Sequence, residues 1–242
     1  MPPEPTLSIV IPAYHEADSV AETLTALRDA FRAPTGASLL EILVVDDGSR
    51  DGTAEAARAA GADEVIVHAR NRGKGAALET GLAQARGDLV LLLDADLRGT
   101  ASEAVKLLDP VLVGKADVTV AGFPRTGSKS GFGMAQGLSR WGIRRLTGVS
   151  VEFPLSGQRL LSRATLGSLG RLASGYGIET AMTLDLLRAG YRIAEVPTAM
   201  AHRKTGRDWA GFKHRGKQLW AIARVLLSRA VRPLRPRRNP GS

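Results

Sequence analysis

Four apolar residues in a row, Val90-Leu91-Leu92-Leu93, run directly into Asp94-Ala95-Asp96, and this junction limits the folds open to the chain more than any other segment. A short continuous apolar run is the pattern of a strand buried on both faces, so the two carboxylates emerge where the strand leaves the core. In open α/β sheets that edge is where ligands bind. Carboxylates one residue apart repel each other at neutral pH unless a cation sits between them, and a hard divalent ion is the usual partner. A solvated turn after the strand is the plain alternative.

The segments before this junction alternate in kind. Leu7 to Ile11 is an apolar strand candidate that passes through Pro12, Ala13, Tyr14, His15 and Glu16 into a helix from Asp18, with Val20, Leu24, Leu27 and Phe31 near helical spacing. Leu40 to Val45 is a second strand ending in Asp46-Asp47-Gly48-Ser49, followed by an alanine-rich helix and a short strand, Glu64 to Val67. Such β-α-β-α-β alternation indicates a mostly parallel sheet with crossover helices. Asn71-Arg-Gly-Lys-Gly75 then opens the helix from Ala76 to Ala85; a Gly-rich turn with Lys74 can bind phosphate, although it lacks the longer P-loop pattern.

Beyond the junction the spacing predicts a short helix over 102–108, a strand over 117–123, a Gly-rich loop over 124–138 and helical character over 141–146. It further predicts a polar turn over 154–159, a helix after Gly175-Tyr-Gly-Ile-Glu179 and a strand over 191–196. A basic amphipathic helix runs through Leu227, with Trp209, Phe212, Leu219, Trp220, Ala223 and Leu227 expected on one face. That face either lies on an anionic membrane or docks on its own domain. The expected organisation is an N-terminal tail over 1–6, one domain over 7–230 made of a donor half (7–123) and an acceptor half (124–230), and a disordered basic tail over 231–242.

Charge divides the chain in the same place. Residues 1–124 hold 11 Lys and Arg against 19 Asp and Glu, a net of −8, and residues 125–242 hold 22 against 5, a net of +17. An acidic half suits a metal, and a basic half attracts phosphates or anionic headgroups. Nucleic acid is not expected as a partner, because aromatics are only 5% of the chain and are not interleaved with the basic residues. The absence of cysteine excludes disulfides and thiolate metal sites, and no window approaches a membrane span, so a cytoplasmic protein is expected, with peripheral contact at the inner face of the membrane open to it.

Taken in order, Pro-Ala-Tyr-His-Glu, Asp-Asp-Gly-Ser, Arg-Gly-Lys-Gly, Asp-Ala-Asp and the later Gly-Tyr-Gly-Ile-Glu with a downstream His-Arg resemble the family 2 glycosyltransferases, over residues 7–230. The second half is similar to glucosyl-3-phosphoglycerate synthases and polyprenyl-phosphate sugar transferases. The resemblance implies the GT-A fold, a UDP- or GDP-linked sugar donor, and Mg²⁺ or Mn²⁺. It places Pro12, Ala13, Tyr14, Glu16, Asp46 and Asp47 at the nucleoside. Lys74 faces the nucleotide's base or phosphates, Asp94, Ala95 and Asp96 fall at the ribose and diphosphate, and Asp94, Asp96 and His202 at the metal.

Asp96 and Glu179 are the catalytic candidates, Glu179 as general base to a hydroxyl or as a carboxylate favoured simply by its helix N-terminus. A phosphorylated acceptor would meet Ser156, Gly157, Arg159, Arg203, Lys204 and Arg207. A homodimer is compatible with all of this. A sugar-1-phosphate nucleotidyltransferase is the alternative from another enzyme class, but it would want a Gly-rich basic loop after the first strand; a non-catalytic surface-binding protein would have lost the carboxylates.

Overall fold

The computed structural model describes residues 3–123, 133–170, 172–173, 175–201 and 210–231. In chain order the elements are β1 (Thr6–Ala13), α1 (Val20–Ala30), β2 (Ser38–Asp46), α2 (Thr53–Ala59), β3 (Glu64–Val67), α3 (Lys74–Gln84) and β4 (Leu89–Leu92). A 3₁₀ helix (Arg98–Leu107) and α4 (Asp109–Leu112) lead to β5 (Val118–Gly122), α5 (Gly133–Thr147), β6 (Arg159–Ser162) and α6 (Arg163–Ser168). A 3₁₀ turn (Gly175–Gly177), α7 (Ile178–Arg188), β7 (Ile193–Pro197) and α8 (Ala210–Ala230) complete the chain.

The seven strands form one sheet in the order β3-β2-β1-β4-β6-β5-β7. All neighbours are parallel except β6, which runs antiparallel to both β4 and β5. The chain builds β1, β2 and β3 outward on one side and then crosses back to place β4 on the other side of β1. That reversal opens the crevice at their carboxyl ends where such sheets take ligands.

The apolar run reads correctly as a doubly buried strand, since all four residues of β4 are buried. Residues of β1 alternate between two cores: Leu7, Ile9 and Ile11 pack with α1 and the long 3₁₀ helix, whereas Val10 packs with α3 and α7. A third core joins Ile143 of α5, Leu184 of α7 and Ile222 and Leu226 of α8.

Three expectations change. The polar stretch 154–159 ends in a strand, because Arg159 to Ser162 finds partners on both sides and its backbone groups are satisfied there. Residues 133–138 belong to α5, not to a loop. The buried face of α8 is Ile222, Val225 and Leu226, while Trp220 and Leu227 point outward. The loop over 124–132 and most of the basic tail lie outside the described residues.

Candidate active site

The loops after β1, β2 and β4 meet at the carboxyl edge of the sheet and are laced together by short polar side chains. Ala13 O accepts from Asp47 N at 2.8 Å, and Ser49 Oγ accepts from His15 N at 2.9 Å. Thr53 Oγ1 accepts from Glu16 N at 2.9 Å. His15 adopts φ 58°, a left-handed conformation that turns the chain abruptly out of β1. Pro12 is half-buried and Ala13 buried, whereas Tyr14 is exposed with its ring against His15. Glu16 accepts from Ser19 Oγ at 2.6 Å.

The two carboxylates after β2 have separate partners. Asp46 accepts from Ser49 N at 2.9 Å and from the Ser49 hydroxyl. Asp47 is turned inward: its oxygens accept from Arg72 N at 2.9 Å and Gly73 N at 2.6 Å, and His68 Nδ1 lies 2.7 Å away. The other nitrogen of His68 lies 2.9 Å from Thr80 Oγ1 on α3. Asp47, 2% exposed, therefore fixes the turn that presents Lys74. Gly48 makes this approach feasible; its φ is 78° and a Cβ there would stand 2.6 Å from the Arg70 carbonyl carbon.

Lys74 opens α3, where a cation is disfavoured by the helix dipole and needs anionic company. It has two carboxylates: its Nζ lies 2.8 Å from Asp94 Oδ1 and 3.0 Å from Glu179 Oε1. Burial alone would lower the ammonium's pKa, but Asp94 and Glu179 outweigh it and hold the pKa above its ordinary value. Asp94 Oδ2 in turn accepts from Gln158 Nε2 at 2.7 Å. Gly157 passes so close that a Cβ would stand 2.7 Å from Lys74 Nζ and 3.1 Å from Asp94 Oδ2. Ser156 is buried beside it, its hydroxyl 3.2 Å from Gln158 Oε1.

Ala95 and Leu97 are buried, and Asp94 and Asp96, which alternate with them, are half-buried. Thr23 pins that turn, donating to Ala95 O at 2.9 Å and accepting from Arg98 N at 2.8 Å. Among the described residues no three His, Cys, Asp or Glu side chains are gathered to hold a metal. Two carboxylates nevertheless fit an ion of the Mg²⁺ type, which takes one or two from the protein and completes its shell with substrate phosphate oxygens and water.

Arg159 is a correction. Its guanidinium is fully buried and donates to Ser156 O at 2.8 Å, Thr183 Oγ1 at 2.9 Å and Pro154 O at 3.2 Å, so it does not reach an acceptor. Burial lowers its pKa to about 10, partly offset by Glu179 and Glu195, so it stays a fixed positive charge behind the site. His202, Arg203, Lys204 and Arg207 lie outside the described residues. Sequence reasoning missed Gln158 and His68. A polar residue between Gly157 and the strand β6, and a lone histidine just past β3, were the only signals.

An open α/β sheet with a topological reversal and acidic residues at that edge is the arrangement of the GT-A fold. Residues 8–164 match the model of glycosyl transferase family 2, and the chain belongs to that family. Similar proteins include the glycosyltransferase AglJ of Haloferax volcanii, 31% identical over 217 residues covering 86% of this chain and 67% of that one. An undecaprenyl-phosphate 4-deoxy-4-formamido-L-arabinose transferase of Pseudomonas paraeruginosa is 41% identical over 108 residues, 43% of this chain and 31% of its own length. The matched region thus spans about a third of that relative. Glucosyl-3-phosphoglycerate synthase of Mycobacterium tuberculosis, solved with Mn²⁺, UDP and glucosyl-3-phosphoglycerate, superposes with a TM-score of 0.78 at 29% identity, over 95% of this chain and 81% of that one.

Proposed function

We propose that this glycosyltransferase moves a hexose from a UDP- or GDP-linked donor to a phosphorylated acceptor, either a polyprenyl phosphate or a small phosphoglycerate-like acid. The observation that carries the reading is the Asp94–Lys74–Glu179 ion cluster beside Asp96 at the carboxyl edge of β4. In this reading Pro12, Ala13, Tyr14, Glu16 and Asp46 hold the nucleoside, and Asp47 with His68 positions the turn before Lys74. Asp94, Asp96 and His202 hold Mg²⁺ or Mn²⁺, with Ala95 between the two carboxylates. The ion, when bound, neutralises charge growing on the leaving diphosphate.

The chain's own groups do the rest. Lys74 brings a positive charge to the same diphosphate as the sugar C1–O bond breaks and its electron pair leaves with the phosphate. An acceptor oxygen forms the new bond to C1. A hydroxyl acceptor gives its proton to Glu179; a phosphate acceptor is already ionised and needs no base. Ser156, Gly157, Arg203, Lys204 and Arg207 receive the acceptor's phosphate. The enzyme works in the cytoplasm, with its basic half in peripheral contact with the inner face of the membrane.

The test is metal-dependent release of nucleotide diphosphate from a panel of UDP- and GDP-sugars, with and without phosphorylated acceptors. Release stimulated by one of these acceptors is expected. No stimulation by any phosphorylated acceptor overturns the acceptor assignment, and full activity in Asp96→Ala overturns the metal assignment.

A further inference from the structure

α5 and α8 pack against each other, Gly142 of one standing against Leu226 of the other, and both pack on α7. The faces turned away from this packing are not the polar surfaces expected of solvated helices. Met134, Trp141, Trp220, Leu227 and Val231 are each at least 64% exposed. Around them stand Arg144, Arg145, Lys217 and Arg224, all exposed, with the Arg224 guanidinium 5.7 Å from the Trp220 ring centre. Neither helix contains an Asp or Glu.

From this surface we infer that α5 and α8 together dock on an anionic bilayer, the tryptophans, Leu227 and Val231 entering the headgroup boundary and the arginines meeting lipid phosphates. Large apolar side chains among cations, with no carboxylate, fit an interface that is apolar below and negative at its surface. A second copy of the chain is a poor occupant, because two such faces would bring like charges together. No helix among the described residues is long and apolar enough to cross a membrane.

The surface also lies close to the chemistry. A Cβ on Gly177 would stand 2.6 Å from Val225 Cγ2 and 3.2 Å from Ala221 O, so α8 rests directly on the turn that leads into Glu179. A bilayer under α8 is one helix layer from the acceptor side of the site. The inference deepens the peripheral contact proposed above and rests on it.

Full-length protein is floated with vesicles of phosphatidylcholine alone or mixed with phosphatidylglycerol, alongside nucleotide diphosphate release in vesicle-free solution. Flotation is expected only with the anionic vesicles and falls as salt rises. Arg144→Gln with Arg224→Gln weakens it roughly 25-fold, at about fivefold per arginine, and Trp141→Ala with Trp220→Ala abolishes it, both with unchanged vesicle-free release. Equal flotation on neutral vesicles, no loss in either variant, or a dimer that the tryptophan variant dissociates overturns the inference. Retained flotation without transfer to a polyprenyl phosphate in the same vesicles supports the surface and overturns only a lipid acceptor.

Discussion

Gln158 donates its amide N–H to Asp94 Oδ2, while Lys74 lies against Oδ1, so it sets the carboxylate's orientation without exposing any surface of its own. A hydrogen bond to a charged group is worth about 1.5–3 kcal/mol, so Gln158→Leu should lower kcat/KM roughly 10- to 150-fold. Because Asp94 is proposed to hold the metal, the loss should be partly recovered at high metal concentration; thermal stability that collapses instead would make Gln158 merely structural. Glu179 gives a sharper split. With Gln in its place a hydroxyl acceptor loses its base and its rate should drop roughly 10²- to 10⁴-fold, whereas a phosphate acceptor keeps most of its rate. Equal losses on both acceptor types, measured by product formation, would remove Glu179 from the role of base. The burial alternation around Asp94 and Asp96 was legible in the sequence, since alternation with buried neighbours is a local pattern. The role of Asp47 was not: a carboxylate that faces a ligand and one that faces backbone N–H groups 25 residues on are spelled identically.

Elements were legible in proportion to how locally they are determined. β4 announced itself because burial on both faces demands an unbroken apolar run, and the α1 pattern because one face alone is buried. β6 did not, because Arg-Leu-Leu-Ser becomes a strand only when β4 and β5 flank it. On α8 the face read from periodicity is split: Leu219 packs on the third core, Trp220 and Leu227 point outward, and Trp209 and the Phe212 side chain lie outside what is described. The seating of α3 on the sheet depends on a glycine. At Gly81 a Cβ would stand 2.4 Å from Val10 Cγ1 and 3.2 Å from Val45 Cγ2, both on β-branched side chains held in buried strands. Gly81→Ala gains helix propensity, yet the added methyl has no room. Overpacking costs about 1–3 kcal/mol, which lowers the melting temperature by roughly 2–12 °C. Because Lys74 lies at the start of the same helix, donor affinity should weaken alongside. An unchanged or higher melting temperature, followed by circular dichroism, would show that α3 is not seated by this contact.

Across the molecule, the N-terminal half is tied together by carboxylates that link segments distant in sequence. Glu41, 1% exposed, accepts from Ser8 Oγ at 2.6 Å, from Arg86 N at 2.7 Å and from Arg86 Nη2 at 2.6 Å, joining β2, β1 and the turn before β4. Asp63 joins Arg28 to the Ile42 amide, and Asp88 holds Thr6 at the start of β1. Burial by itself would raise the pKa of Glu41, but the bonds from Arg86 and Ser8 prevail and hold it below its ordinary 4.5. Asp63 is likewise lowered, burial being outweighed by Arg28 and the Ile42 amide. A carboxyl group lowered on folding adds stability that is complete above its unfolded value and is lost as pH falls through the folded one. The protein should therefore hold its denaturant midpoint from pH 7 down to about 5 and lose it progressively below about 4.5. Glu41→Gln keeps a partner for Ser8 and leaves Arg86 free to reach water, since its side chain is 73% exposed. The variant should be less stable at pH 7 and approach the parent protein as the pH falls toward 3, because acid has already discharged Glu41 in the parent. Denaturant midpoints for the two proteins that stay a constant distance apart from pH 7 to pH 3 would mean that the charge of Glu41 contributes nothing to the tie.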